Sequence, residues 1–310
     1  MLRAGLLWLS EQPHISRFVR RNGLAQKLAS RFVAGETVDS AVAALRQLNA
    51  AGITATLDLL GESVRHAAEA RAARDLYLAT LDLIERAHAQ SHVSVKLTQM
   101  GLDIDEDACV EYVRAIAARA RDRGSFMRID MEGSAYTERT LRLFKQRLHP
   151  EFGDTVGVVL QSYLRRTEQD VRELIALGAR IRLCKGAYKE APDIAFPDKR
   201  DVDANYIACL ERLLERGNYP AIATHDERII AHAKAFAQRQ EILPSRYEFQ
   251  MLYGVRRDVQ QTLRREGYNV RVYVPFGDQW YPYLMRRLAE RPANVGFLLG
   301  SLIRESLRRN

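Results

Sequence analysis

Hydrophobic positions along the chain follow two alternating periods. Eight short runs rich in branched and aromatic residues read as strands: ITATLDLL at 53–60, VSVKLT at 93–98, FMRIDM at 126–131, TVGVVLQ at 155–161, ARIRLCK at 179–185, PAIATH at 220–225, YEFQML ending at Leu252, and NVRVYVP at 269–275. Between them, apolar residues recur at helical spacing, as in ESVRHAAEARAARDLYLATLDLIERA and DVRELIALGA. Strands that alternate with helices imply a parallel sheet. Eight such units in about 250 residues fit a closed (β/α)8 barrel better than an open sheet. No GxGxxG follows the first strand, which argues against a dinucleotide-binding open sheet. The expected organisation is an N-terminal helical segment over residues 1–50 and a barrel over residues 51–310, with no Pro/Gly/Ser-rich linker between them.

A barrel presents its chemistry at the C-terminal ends of the strands. Those ends hold Glu62, Lys96, Asp130 with Glu132, Gln161, Arg182 with Lys185, Thr224 with His225, Gln250, and Tyr273. Small or apolar residues would serve a purely structural rim, so this row of polar groups is the main physical signal. Lys96 interrupts the apolar alternation of SVKLTQ; facing inward, it is either a desolvated reactive amine or a lysine held by an acid such as Asp130. In FMRIDMEG, strand parity turns Arg128 and Asp130 inward and Ile129 and Met131 toward the helices. Its two carboxylates have no histidine or third acid at matching spacing, so no metal is expected. RLCKGAY places Gly186 at a strand-to-loop junction, either as a turn glycine or as a point of close backbone approach to a ligand. In ATHDER, Asp226 is placed to cap a helix and His225 reads as a hydrogen-bond partner.

The octet YLMRRLAE puts Tyr283, Arg286, Arg287 and Glu290 at i, i+3, i+4 and i+7, near one helical face. Such a stripe is most often a solvated salt-bridge face; its other use is a clamp for a small anion, since two guanidinium forks suit a carboxylate.

Composition narrows the class. The 310 residues suffice for a large core, and three cysteines (Cys109, Cys184, Cys209) are too few for a disulfide framework, which fits a reducing cytoplasm. No run approaches the ~20 apolar residues of a membrane span, and the start lacks a signal-peptide cleavage pattern. The net charge of +8 comes from 40 Arg and 7 Lys dispersed beside acids, without a basic run. That pattern suits solubility, steering of anions or contact with an anionic membrane surface better than nucleic acid.

In order, TLDLLGE, SVKLTQ, RIDMEG, LQSYL, RLCKGAY, ATHDE, EFQMLYG, VYVPFG and YLMRRLAE resemble the proline dehydrogenase family over about residues 53 to 294, YxxRRxxE being the most distinctive piece. The resemblance implies the short monofunctional bacterial form, without the fused aldehyde dehydrogenase or DNA-binding domain of bifunctional relatives, so nucleic acid is not an expected partner. It implies a distorted TIM barrel whose eighth helix lies over the strand C-terminal ends, and a flavoenzyme that oxidises L-proline to 1-pyrroline-5-carboxylate on FAD. A membrane quinone then takes the electrons. The expected location is cytoplasmic, with the inner membrane face as a contact and the downstream pyrroline-5-carboxylate/glutamate semialdehyde dehydrogenase as a further partner.

Residue by residue, the resemblance assigns the proline carboxylate to Arg286 and Arg287, and the ring to Tyr273, Tyr283 and Leu252. Lys96 and Asp130 form the opposite wall, and Glu62 pairs with the first arginine to close the site. Arg182 lies near the reactive flavin nitrogen. Met131, Gln161, Lys185, Gly186, Ala187, Thr224, His225, Gln250 and Glu290 line the cofactor. The acceptor of the proline nitrogen proton is open between Asp130, perturbed by Lys96, and solvent water. Two rivals stand beside this reading: a Schiff-base aldolase on Lys96 or Lys185, and a basic membrane- or nucleic-acid-binding module.

Overall fold

Parity along each strand decides which side chains fill the barrel and which meet the helices. The computed structural model describes residue 26, residues 29 to 188 and residues 190 to 290, the side chains of 286 to 290 excepted. Eight parallel strands close in sequence order: β1 (Thr54–Leu59), β2 (Ser91–Val95), β3 (Met127–Ile129), β4 (Val156–Gln161), β5 (Arg180–Cys184), β6 (Ala221–Ala223), β7 (Glu248–Leu252) and β8 (Asn269–Phe276). β8 pairs back onto β1, from Thr54 opposite Arg271 to Leu59 opposite Phe276, which leaves no free sheet edge. Ala55, Leu57, Val93, Val95, Ile129, Val158, Ile181, Phe249 and Val272 point outward and are buried in one continuous core under the helices. The opposite parity of β1, β2 and β3 carries Thr56, Asp58, Ser94, Arg128 and Asp130, all buried. Two-sided burial of this kind is what parallel strands require.

The helices between strands are α2 (Ala67–Arg86), α3 (Glu106–Asp122), α4 (Ser134–Leu143), α5 (Thr167–Ala176), α6 (Lys199–Arg216), α7 (Glu227–Arg239) and α8 (Arg257–Arg265). Their starts follow local chemistry. The Asp105 side chain accepts from the Ala108 N–H to begin α3, and Asp226 accepts from the Arg228 N–H to begin α7, as the sequence suggests.

Two further helices explain the distortion. α1 (Val38–Ala50) opens with a Thr37–Ser40 capping box and packs against β1 and β8 through Ala41 and Leu45. It thereby occupies the outer slot between the last and first strands, where a regular eighth helix would sit. The helix after β8, α9 (Trp280–Glu290), is displaced to the strand C-terminal ends. There Trp280, Tyr281, Leu284 and Met285 form a second apolar cluster with Leu60, just past β1, and with Ala29, Phe32 and Val33. Trp280 Nε1 donates to Glu36 at 2.8 Å. Backbone bonds from Ala34 N to Pro275 O (2.9 Å) and from Gly277 N to Gly35 O (3.0 Å) fix the entry of α1 beside the exit of β8. Of the N-terminal helical segment expected over residues 1–50, α1 is the described helix; residues 1 to 25 lie outside the described residues.

Several strands are shorter than the sequence runs. β2 stops at Val95, β3 at Ile129 and β6 at Ala223, so Lys96, Asp130, Thr224 and His225 sit just past the strand ends. Asp130 N still donates to Val95 O (2.9 Å) and Thr224 N to Gln250 O (3.2 Å). Inside, Gly157 on β4 is opposite Arg128. A Cβ there would come within 2.5 Å of Arg128 Nη1 and of the Arg180 carbonyl oxygen. The second is backbone and cannot step aside. Gly157→Ala should therefore cost about 1–3 kcal/mol of stability by overpacking. An unchanged denaturant midpoint would contradict this packing.

Candidate active site

The mouth of the barrel is organised by a chain of alternating charges. Asp58, on the inner face of β1 and 2% exposed, accepts from Lys96 Nζ at 2.6 Å. Lys96 Nζ lies 3.9 Å from Asp130 Oδ2. Asp130 Oδ1 accepts from Ser94 Oγ (2.6 Å) and Arg182 Nη1 (2.7 Å), and Oδ2 accepts from the Tyr273 hydroxyl (2.6 Å). Arg182 Nε then donates to Gln250 Oε1 (2.5 Å), and its guanidinium lies 5.2 Å from the centre of the Tyr273 ring. Gln250 Nε2 donates to Glu248 (2.5 Å), which also receives Arg271 Nε at 2.9 and 3.0 Å. The network thus links β1, β2, β5, β7 and β8 with the residues that follow β2 and β3.

The ionisation states follow from that order. Burial pushes Asp130 up, but Arg182, Lys96 and the Ser94 and Tyr273 hydroxyls outweigh it and leave the carboxyl below its usual value. Burial also raises Asp58; Lys96 offsets only part of this, and the Asp130 charge adds to it. For Lys96, burial favours the neutral amine, yet Asp58 and Asp130 overcome it and hold the ammonium form. Burial and the neighbouring Asp130 charge keep Tyr273 a phenol.

Two expectations change here. Lys96 makes its short contact with Asp58, a residue the sequence reading passed over, and not with Asp130. The signal was present in ITATLDLL, where Asp58 shares parity with Thr54 and Thr56. Of the two candidate proton acceptors, Asp130 and solvent water, Asp130 already receives three donors and is held below its ordinary value, which weakens it as a base. A Schiff-base role for Lys96 meets the same obstacle, since it needs a readily neutralised amine.

Other predicted positions surround this core. Leu252 pairs in register with Tyr273 at the β7–β8 edge. Gln161 Nε2 donates to the Met131 carbonyl (3.2 Å), while Gln161 Oε1 is buried without a partner. Met131 packs its side chain into the outer core. Gly186 has φ +102, and a Cβ there would come within 2.2 Å of the Tyr163 ring, so this junction needs glycine. Ala187 follows on the exposed loop. Lys185 lies between Asp203 (2.6 Å) and Asp226 (2.8 Å). Thr224 Oγ1 accepts from Asp226 N (3.1 Å), and His225 Nε2 accepts from Leu252 N (2.9 Å), the hydrogen-bonding role expected of it. Glu62 lies three residues past the end of β1, exposed, close enough to raise Glu132 electrostatically. Tyr283 is buried within the α9 cluster. The side chains of Arg286, Arg287 and Glu290 lie outside the described residues, although the α9 backbone carries all three.

A closed (β/α)8 barrel with ionisable groups converging at its C-terminal mouth defines a barrel enzyme. The proline dehydrogenase family pattern matches residues 41–299, and the chain belongs to that family. Proline dehydrogenase 1 of Bacillus subtilis strain 168 is 41% identical over 305 residues, covering 98% of this chain and 100% of that protein. The proline dehydrogenase of Deinococcus radiodurans is 42% identical over 311 residues, covering 98% of each chain. Among solved structures, proline utilization A from Bdellovibrio bacteriovorus, inactivated by N-propargylglycine, superposes with a TM-score of 0.81 at 28% identity. It covers 89% of this chain and 34% of that one. The chain is accordingly an oxidoreductase whose family oxidises proline. No described helix is long and apolar enough to cross a membrane.

The depressed Asp130 has a measurable consequence. Its stabilising ionisation is complete above the unfolded value of about 3.9 and is lost as pH falls through its lower folded value. Stability of the wild type should therefore begin to drop below about pH 5 and keep falling as pH passes down through the lower folded value. Asp130→Asn should be less stable at pH 6 but lose less on acidification, as read by thermal melts at both ends. Equal losses in the two proteins would mean that Asp130 carries no such shift.

Proposed function

We propose that this protein oxidises L-proline to 1-pyrroline-5-carboxylate with FAD as the resident electron acceptor, and that a membrane quinone reoxidises it. The observation that carries the reading is the buried Asp58–Lys96–Asp130–Arg182 chain with Tyr273, set beneath the helix bearing the Arg286–Arg287 pair. The residues suit a flavin on a specific point. Gln161 Oε1 is a buried acceptor in want of a donor, and the flavin ring carries an N–H of the matching kind. Gly186 keeps a side chain away from the same rim. Met131, Gln161, Lys185, Gly186, Ala187, Thr224, His225, Gln250 and Glu290 would hold the cofactor. When bound, FAD supplies a two-electron hydride acceptor.

The chain's own groups do the remaining work. Arg286 and Arg287 take the proline carboxylate as a bidentate pair, and Tyr273, Tyr283 and Leu252 pack around the ring, so the reacting carbon is oriented before reaction. Lys96 and Asp130 form the facing wall, held rigid by Asp58 and Ser94. Arg182, buried and anchored by Asp130 and Gln250, offers fixed positive charge where negative charge grows. Glu62 pairs with Arg286 to close the mouth and exclude water. Because the Asp130 lone pairs are already engaged, the proton on the proline nitrogen goes to solvent, and Asp130 acts by orienting Tyr273 and Arg182. Lys185 serves its rim through charge, ion-paired to Asp203 and Asp226. A lipid-soluble quinone places electron exit at a membrane surface, toward which the net charge of +8 is favourable.

The purified protein should be yellow, release FAD on denaturation and bleach when L-proline is added without oxygen. Folded protein that stays colourless after incubation with FAD would contradict the reading. Replacing Arg286 or Arg287 with Met should raise KM for proline tenfold or more, in line with about 1.5–3 kcal/mol for a charged hydrogen bond, while the flavin remains bound. A variant with wild-type KM would remove that residue from the carboxylate clamp.

A further inference from the structure

Charge is unevenly matched on the inner wall of the barrel. Lys96 has Asp58, Arg182 has Asp130, and Arg271 has Glu248, each at 2.9 Å or less. Arg128, two residues before Asp130 on β3 and 2% exposed, makes no ion pair with any described carboxylate. Its Nη1 donates to the carbonyl oxygens of Arg180 (2.6 Å) and Val158 (3.3 Å), and its guanidinium lies 4.6 Å from the centre of the Phe126 ring. Its Nε is buried with no hydrogen-bond partner. Gly157 makes the space it occupies. Arg180, two residues before Arg182 on β5 and partly buried, pairs with no described carboxylate either. The inner wall therefore carries five cations against three carboxylates, and the fully buried member of the surplus, Arg128, sits beneath Asp130 and Arg182.

Such a group is costly. An ionised side chain without a counter-charge loses its hydration, and a hydrocarbon side chain of similar size would fill the position at less expense. Two surroundings could soften the cost: the ring of Phe126 and the more distant carboxylate of Glu248. Neither pairs with it. Glu132 does not compensate either, because it turns away to the Thr98 hydroxyl and N–H at 2.5 and 3.2 Å.

We propose that Arg128 sets the electron affinity of the site above it. This inference rests on the flavin reading. Oxidation of proline transfers a hydride: the C–H bond breaks, its electron pair leaves with the hydrogen, and the ring carbon–nitrogen bond gains double-bond character. The acceptor gains two electrons and one hydrogen nucleus, and the proline nitrogen releases a proton to solvent, so the acceptor and the barrel are each left one unit more negative. An interior that is already balanced would oppose that charge. An interior with surplus cations, Arg128 among them in a medium of low dielectric and roughly 7 Å along the strand from Asp130, favours it. Arg182 is the nearer donor, and its charge is shared with Asp130. Of the two inward cations without a described carboxylate partner, Arg128 and Arg180, Arg128 is the fully buried one. It acts through the field and touches neither substrate nor cofactor, so it is a positioning residue for charge, not a catalytic one.

The test compares wild type, Arg128→Met, Arg128→Gln and Arg128→Lys, all loaded with FAD. Spectroelectrochemical titration of the bound flavin should give a lower reduction potential in the Met and Gln variants by about 30 mV or more, a tenfold shift in the two-electron equilibrium. The Lys variant, which keeps the charge, should stay within half of that shift of the wild type. Thermal melts of the flavin-free proteins supply a second reading: the Met variant should match or exceed wild type, because a costly charge is gone. A potential unchanged in both Met and Gln variants would overturn the inference while the flavin reading stands. A lower potential accompanied by a loss of flavin-free stability, with no rescue by Lys, would show a packing role and overturn it equally. Wild-type protein without flavin would end both.

Discussion

Asp130 is the point on which the rest of the site depends. Its two oxygens gather Ser94 from β2, Arg182 from β5 and Tyr273 from β8, with Lys96, just past β2, at the edge of range. Take that carboxylate away and Arg182 loses its counter-charge, Tyr273 its hydroxyl acceptor and Lys96 its second acid. A barrel supplies such convergence cheaply. Inward residues of parallel strands all point to a common axis, so a residue just past β3 can reach partners on β2, β5 and β8.

These charges do little for stability. Buried ion pairs recover their desolvation cost only when geometry is good, and an apolar interior would hold the barrel at least as well. The outer core of Leu57, Val93, Ile129, Val158, Phe249 and Val272 bears that load. What the polar interior provides is a rigid, dry arrangement of charge that needs no rearrangement when a charged ring arrives. The displaced helix α9 belongs to the same arrangement. Because α1 fills the outer slot against β1 and β8, the last helix is free to cross the mouth and is held there by Trp280, Tyr281, Leu284 and Met285.

The barrel was legible because its outward residues repeat with strand parity and its helices with helical parity, signals that need no knowledge of contacts. The rim positions were legible from the same periods. The role of the octet on α9 is assigned through family resemblance alone, since its bare spacing fits a solvated salt-bridge face better. Asp58 was hidden because a carboxylate beside Leu57 and Leu59 shows no partner until β1 and β2 pair in register, Asp58 opposite Ser94. The engagement of Asp130 was hidden for a related reason: its donors come from residues 36, 52 and 143 positions away in the chain. Arg128 was readable as inward-facing, but its lack of a counter-charge is a property of the closed barrel alone.

The central claim is that this charge network is a preformed frame for proline. A crystal structure of the FAD-loaded protein with a carboxylate analogue of the substrate tests it most directly. The account expects the carboxylate on Arg286 and Arg287, the ring against Tyr273, and the Asp58–Lys96 and Asp130–Arg182 pairs unchanged. A carboxylate seated on Lys96, with those pairs broken to receive it, would contradict it.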